Sequence, residues 1–225
     1  MGALGVLLPL AIGVAFSSVP ILAMIVLLLS PRGQASGVAY LIGYAAGLAG
    51  VTVGFTAGLR AIPRDDAPLP DLWVGLGEIV VGVVGVVFAI VSFRQVRVRR
   101  RASDAPPELP GWLRRVGALG PGSSFALGIV LNLRPKALVI ATAAALAFNA
   151  QGLAPLAWAI DTAVYLAIGL STVAAPVIIV WRSGEMARPM LERAHEWLAR
   201  HSYIVTSVVV LMVGVVLIGD GLSRL

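Results

Sequence analysis

Within the stretch LNLRPKALVIA, Leu131 to Ala141, two full positive charges flank a helix breaker: Arg134, Pro135 and Lys136 stand in a row inside a long apolar run. Cations in such a setting have one chemistry to offer. They bind an anion, either a fixed carboxylate or an anionic ligand, and a guanidinium suits phosphate, sulfate or carboxylate especially well. At ~1.5 Å per residue, Arg134 and Lys136 lie roughly 17 and 20 Å along the apolar span that begins at Ser123. Neither is near an end, so neither can snorkel out. A charge at that depth costs at least ~2.5 kcal/mol on insertion scales. Both should therefore face an interior that is paired or wet. On an unbroken helix, residues two apart point ~200° from each other. A break at Pro135 would let both turn inward, so the proline and the charge pair make sense together.

A second proline stands in the matching place of the first apolar span. Gly13 to Pro20 reads GVAFSSVP and Gly128 to Pro135 reads GIVLNLRP, each a glycine, six residues and a proline. Polar residues gather at both: Ser17 and Ser18 before Pro20, and Asn132 before Pro135. A proline removes an amide donor and clashes with the carbonyl four residues earlier. Bare backbone groups at membrane depth survive only against protein or a wet cavity. These seven residues, Ser17, Ser18, Pro20, Asn132, Arg134, Pro135 and Lys136, are the candidate substrate-binding set. Candidate partners for the cations, or coupling groups, are Glu78 in the third span and Asp161 in the fifth, each ~9 to 10 Å from its span's start. Two readings stay open: structural ion pairs that hold the bundle, or a cationic pocket for an anionic ligand with acids that titrate or pair.

The elements that must position these residues follow from composition. The chain has 225 residues, 59% hydrophobic and only 12% charged, with a mean hydropathy of +0.94. A soluble domain carries about a quarter charged residues, so the expected class is an all-α integral membrane protein. Six segments are long and apolar enough to cross a bilayer, which takes ~20 residues: 4–29, 35–59, 73–93, 123–149, 155–181 and 203–222. The first does not read as a cleaved leader, having no basic start and too long an apolar run. Between spans lie a basic, proline-rich loop, 94–122, and a charged segment, 182–202. In the latter, Met186, Met190, Trp197 and Leu198 recur at near-helical spacing, which predicts an amphipathic helix on the membrane surface.

Twelve arginines follow the first, third and fifth spans, against three, Arg60, Arg64 and Arg224, on the opposite side. The positive-inside rule then places the basic loops in the cytoplasm and both termini outside the cytoplasmic membrane. Short matches recur in order: AYLIG with VYLAIG, and VGVVFAI with VGVVLIG. With the two proline sites, they predict two three-helix repeats of inverted topology, 1–93 and 123–225, a plan that puts a transporter's substrate site at broken helices near the midplane. Gly43-x3-Gly47, Gly54-x3-Gly58 and Gly75, Gly82 and Gly85 predict close helix packing.

Several classes are disfavoured. The net charge of +6 sits in loops beside spans and marks topology, not nucleic acid. Cysteine is absent, and His195 and His201 share one polar segment, so no metal site or other cofactor is expected. No nucleophile or paired-carboxylate constellation marks an enzyme. The expected partners are membrane lipids and an anionic lipid or small-molecule substrate, with a homo-oligomer left open.

The motifs resemble a known family. NLRPKA resembles the Asn-Pro-Lys-Ala signature of the LysE-type exporter superfamily, and the Gly-x6-Pro of the first span resembles the place where its amino-acid exporters carry Pro-Gly-Pro. Two departures stand out: Ile21-Leu22 follow Pro20, and Leu133-Arg134 are inserted between Asn132 and Pro135. With Ser30-Pro31-Arg32-Gly33 after the first span, they resemble the GAP branch, the sulfolipid- and peptidoglycolipid-addressing (Sap) proteins. The resemblance covers nearly the whole chain. It implies export or translocation of an envelope lipid or its precursor. Small-metabolite export of the LysE type, or a non-transporting scaffold that assists a larger lipid exporter, are the alternatives.

Overall fold

The computed structural model describes residues 3–61, 71–102, 111–150 and 154–223, with no β-strand among them. Two helices, α1 (Ala3–Ala15) and α2 (Ser18–Leu28), share the first apolar span. They are followed by α3 (Gly33–Ala61), α4 (Asp71–Ala102), α5 (Gly111–Val116), α6 (Pro121–Leu131), α7 (Pro135–Ala150), α8 (Pro155–Ser183) and α9 (Arg188–Leu222). By length and hydropathy, three stretches can cross a membrane: Leu7–Leu28, Gly33–Ala61 and Pro155–Ser183. A fourth qualifies if Pro121–Leu131 and Pro135–Asn149, bent by 59°, count as one broken span. The other two expected spans fall in α4 and α9, whose apolar stretches Gly75–Val91 and Ser207–Leu222 are shorter than the ~20 residues a crossing needs. Ile42, Val84, Ile160 and Val215 are each more than half exposed. An outer surface so apolar suits lipid rather than water, and the chain is a membrane protein.

Hydrophobic attraction is weak between helices in lipid, so small residues that let backbones approach must hold the bundle. Gly43 of α3 and Gly128 of α6 do this for one pair. A Cβ on Gly43 would stand 2.1 Å from the Phe125 carbonyl oxygen, and one on Gly128 would stand 2.5 Å from backbone atoms of Tyr40 and Tyr44. Gly82 and Gly214 meet in the same way between α4 and α9, and Gly221 meets Gly75. Those contacts run in opposite directions along the two helices, so α4 and α9 pack antiparallel. The seven-residue spacing of Gly75 and Gly82, and of Gly214 and Gly221, keeps each pair on one helix face. Gly54 and Gly58 behave otherwise. A Cβ there would meet nothing within 4 Å, because that face of α3 points outward with Val53 and Phe55.

Some helix contacts have a counterpart when the first four helices are exchanged for the last four, while others, such as α2 with α9 and α2 with α3, have none of comparable extent. α3 packs on α6 as α8 does on α1, α3 on α7 as α8 does on α2, and α4 lies against α9.

Three expectations can be set against the structure. The first break falls at Phe16 and Ser17, directly before Pro20, which sits in the first turn of α2 much as Pro135 opens α7. A helix's opening amides have no intrahelical acceptor, so proline's missing N–H costs nothing there. Its carbonyl accepts a hydrogen bond from the Tyr40 hydroxyl at 3.0 Å. Pro20→Ala should therefore lower stability by no more than ~1 kcal/mol, the scale of a compatible proline, read as the unfolding midpoint in detergent. Second, 182–202 is not a separate surface helix. After a 3-10 turn at Gly184–Ala187, α9 runs unbroken from Arg188 to Leu222, because no glycine or proline interrupts it between Pro189 and Gly214. Leu191 and Leu198 turn inward while Met190 and Trp197 stay exposed. Third, in the basic loop 94–122, where Trp112, Val116 and Leu119 hint in the sequence at a short interfacial piece, α5 forms at Gly111–Val116; the part not expected is that α4 extends to Ala102 and that α6 starts at Pro121. Residues 103–110 of that loop lie outside the described residues.

The buried apolar residues form two clusters. One gathers Leu10, Val14, Leu48, Ile140, Phe148 and Tyr165. The other gathers Leu22, Met24, Tyr40, Tyr44, Leu131 and Leu191. The helix breaks lie where they meet.

Candidate functional site

The second break is built by α6 ending and α7 beginning afresh. Asn132 keeps a helical backbone as the cap of α6, and its N–H donates to the Ile129 carbonyl at 3.0 Å. Leu133 bonds back to Val130 at 3.0 Å. Pro135 then opens α7, the position where a helix best tolerates proline. The Asn132 side chain is buried and spends its amide donors on the backbone. Nδ2 donates to the Tyr44 carbonyl at 3.2 Å and the Gly128 carbonyl at 3.0 Å. Asn132 thus pins the break against α3. A Cβ on Gly47 would stand 2.9 Å from this Nδ2, so the glycine makes room for the amide.

With the break fixed, Arg134 and Lys136 line one cavity between the clusters. Arg134 donates Nε to the Leu131 carbonyl at 3.1 Å, closing the last turn of α6. That leaves the terminal guanidinium nitrogens without a bonding partner among the described residues. Ser17, the cap position of α2, enters from the first break, and Gly13 and Val14 from α1. Tyr44 and Leu48 come from α3 and Ile140 from α7. None of the described lining residues is acidic. Its volume is about 20 Å³, enough for a water molecule or so and far too little for a lipid headgroup. This is a closed arrangement.

Of the seven expected residues, Ser17, Asn132, Arg134 and Lys136 meet at this cavity. Ser18 is buried in the first turn of α2, Pro20 bonds Tyr40, and Pro135 is exposed at the start of α7; none of the three is among the cavity's lining residues. Tyr44 was missed. It lies within electrostatic reach of Arg134 and stacks on Tyr40 with ring centroids 6.1 Å apart. The only signal in the sequence is a Tyr-x3-Tyr pair on one face of the second span.

Asp161 forms no ion pair with either cation among the described residues. Among the described residues, no ion pair reaches Arg134, Lys136 or Asp161. On α8, the level of the cavity is marked by Gly169, whose Cβ position lies 3.1 Å from Val14 and 3.2 Å from Leu48. Asp161 is eight residues away, ~12 Å along the helix. Glu78 lies on α4, but its side chain lies outside the described residues. A double-mutant cycle checks this separation. Asp161→Asn and Lys136→Gln should act independently, with a coupling energy under ~0.5 kcal/mol in thermal unfolding.

The far end of α3 is tied separately. Arg60 donates Nε to Asn149 Oδ1 at 3.1 Å and stands 5.6 Å over the Trp158 ring, joining α3, α7 and α8.

No curated protein and no solved structure matches the chain. The family model described as Sap, sulfolipid-1-addressing protein, matches residues 7–223, from α1 to the turn after α9, and the chain belongs to that family.

Proposed function

We propose that the chain is a secondary transporter or flippase that carries an anionic amphiphile, a cell-envelope lipid or its precursor, outward across the cytoplasmic membrane. One observation carries this reading: two cations, Arg134 and Lys136, line one cavity between two helix breaks, with no acid among the described lining residues. Unpaired charges at membrane depth are costly, and an anionic headgroup would offset that cost. The family's description, which names a sulfolipid, supports an acidic lipid as cargo. The matched packing of α3 on α6 and of α8 on α1, with a helix break in each half, supports an inverted-repeat plan. Six crossings, with both termini outside, fit the arginine bias. The cavity holds only water-sized space, so transport requires the halves to part on one side at a time.

In this reading the guanidinium grips the headgroup, Lys136 adds a second charge, and Asn132 holds the break that aims both. A scaffold that only assists another exporter would keep its charges in structural ion pairs. The absence of such a pair at Arg134 and Lys136 among the described residues counts against it. Export of a small cationic metabolite is disfavoured by the same two charges. Purified chain in liposomes provides the test. It should move a fluorescent anionic lipid across the bilayer faster than a zwitterionic lipid with the same tails. No movement of either lipid would favour the scaffold, and equal rates would remove the role of the cations.

A further inference from the structure

A second and much larger cavity lies at the other end of α2. Its volume is about 640 Å³, within the range of sites that hold small ligands. Ser30, Arg32 and Gly33 line it from the turn between α2 and α3, Val180 from α8, and Arg188 and Leu191 from α9. Ser17 at the start of α2 lines the central cavity, while Ser30 follows its end, ~20 Å further along at the helical rise. So α2 has a cationic cavity at each end. The arginine bias assigns the Arg32 and Arg188 end to the cytoplasm.

The turn is built tightly. A Cβ on Gly33 would stand 2.2 Å from the Leu28 carbonyl oxygen, so glycine lets α3 start directly beneath the end of α2. This brings the first residues of α3, Gly33 to Ala35, to the cavity wall. The start of a long helix carries positive potential and amides that suit an anion. The Ser30 hydroxyl is buried with no hydrogen-bond partner. Arg188 is held at the rim by a bond from Nη2 to the Leu29 carbonyl at 3.3 Å. None of the described lining residues is acidic. The apolar part of its wall is Leu28, Val180 and Leu191, and Trp181, 83% exposed, follows Val180 on the outer surface. A free anion would gain nothing from that apolar side, whereas a lipid would gain from both.

We infer that this cavity is a docking site for the headgroup of a membrane lipid of net negative charge, one whose phosphate or sulfate is not offset by a cation of its own, with Arg32, Arg188 and Ser30 on the anionic group. The site deepens the proposed function, and rests on it for its place as the cytoplasmic mouth of the path to Arg134. Binding itself is measurable apart from transport.

The full chain in a neutral detergent is titrated with dihexanoyl phosphatidylglycerol, dihexanoyl phosphatidylcholine and sodium sulfate, with bound lipid counted by native mass spectrometry. The phosphatidylglycerol should bind at least about tenfold more tightly than the phosphatidylcholine, as expected for charged hydrogen bonds. Arg32→Ala combined with Arg188→Gln should remove that preference and leave phosphatidylcholine binding unchanged. The glutamine keeps a donor for the Leu29 carbonyl, and Arg32→Lys, which keeps the charge, should retain part of the preference. Arg134→Ala, which the proposed transport step cannot survive, should keep the preference, so failure of transport and failure of docking are distinguishable. Wild-type preference in the folded double variant overturns the site. So does equal binding of the two lipids, or displacement of the phosphatidylglycerol by equimolar sulfate, which would mark a site for free anions.

Discussion

Replacing Arg134 by alanine is expected to slow transport of an anionic lipid by the reconstituted chain a hundredfold or more, without lowering the protein's stability. Arg134 spends Nε on the Leu131 carbonyl, and its terminal nitrogens remain for a ligand. Two charge-assisted hydrogen bonds at ~1.5–3 kcal/mol each set the scale of the loss. Arg134→Lys keeps the charge but not the fork, so it should fall between wild type and alanine. Lys136→Ala, which removes a point charge, should cost about tenfold, one charged contact. Stability separates this account from the structural alternative. Breaking a buried ion pair would destabilise by ~3–5 kcal/mol because it strands the partner. Here no partner is stranded among the described residues, and removing a half-buried cation relieves its desolvation. The unfolding midpoint of Arg134→Ala in detergent should therefore stay level or rise. A fall of many degrees would assign Arg134 to the scaffold.

The second large effect is steric. Gly43→Ala should destabilise the bundle by ~3 kcal/mol, the upper end for overpacking. The reason is that the added Cβ would stand 2.1 Å from the Phe125 carbonyl oxygen and 2.9 Å from its Cα. Both neighbours are backbone, so α3 and α6 must separate, and Tyr44 and Asn132 separate with them. Gly54→Ala on the same helix is the matched control. Its Cβ would meet nothing, and alanine's better helix propensity should make it neutral or stabilising by up to ~1 kcal/mol. Thermal unfolding of the pair in one detergent checks both, and equal midpoints would remove the interlock from the account.

Some of this was legible in the sequence for a physical reason. Arg134 and Lys136 stood out because charge inside an apolar run is costly, and the same cost predicts an inward cavity. NLRPKA and Ser30-Pro31-Arg32-Gly33 were enough to point to the family that the match over residues 7–223 shows. The packing glycines were readable only in part. Gly43 and Gly54 each begin a small-x3-small pair, yet only the first faces a partner helix, and the spacing does not say which face is buried. Pro20 and Pro135 each marked a break from its far side, because a proline in a helix's first turn also stops the helix before it. Asp161 was paired with the cations by depth along its own span. Depth does not tell how two helices slide past each other, and the level of the cavity falls near Gly169 instead. Tyr44 was invisible because a tyrosine in an apolar span has many ordinary reasons to be there.

The central claim is that an anionic headgroup meets Arg134 and Lys136. A lipid analogue with a photoreactive group beside an anionic headgroup, reconstituted with the chain and mapped by peptide mass spectrometry, tests this most directly. Labelling should fall on residues that line the cavity, Ser17, Tyr44 and Ala137, and excess unlabelled anionic lipid should suppress it while zwitterionic lipid should not. Labelling confined to the outer, lipid-facing side chains such as Ile42 and Val84, unchanged by either competitor, would contradict the account.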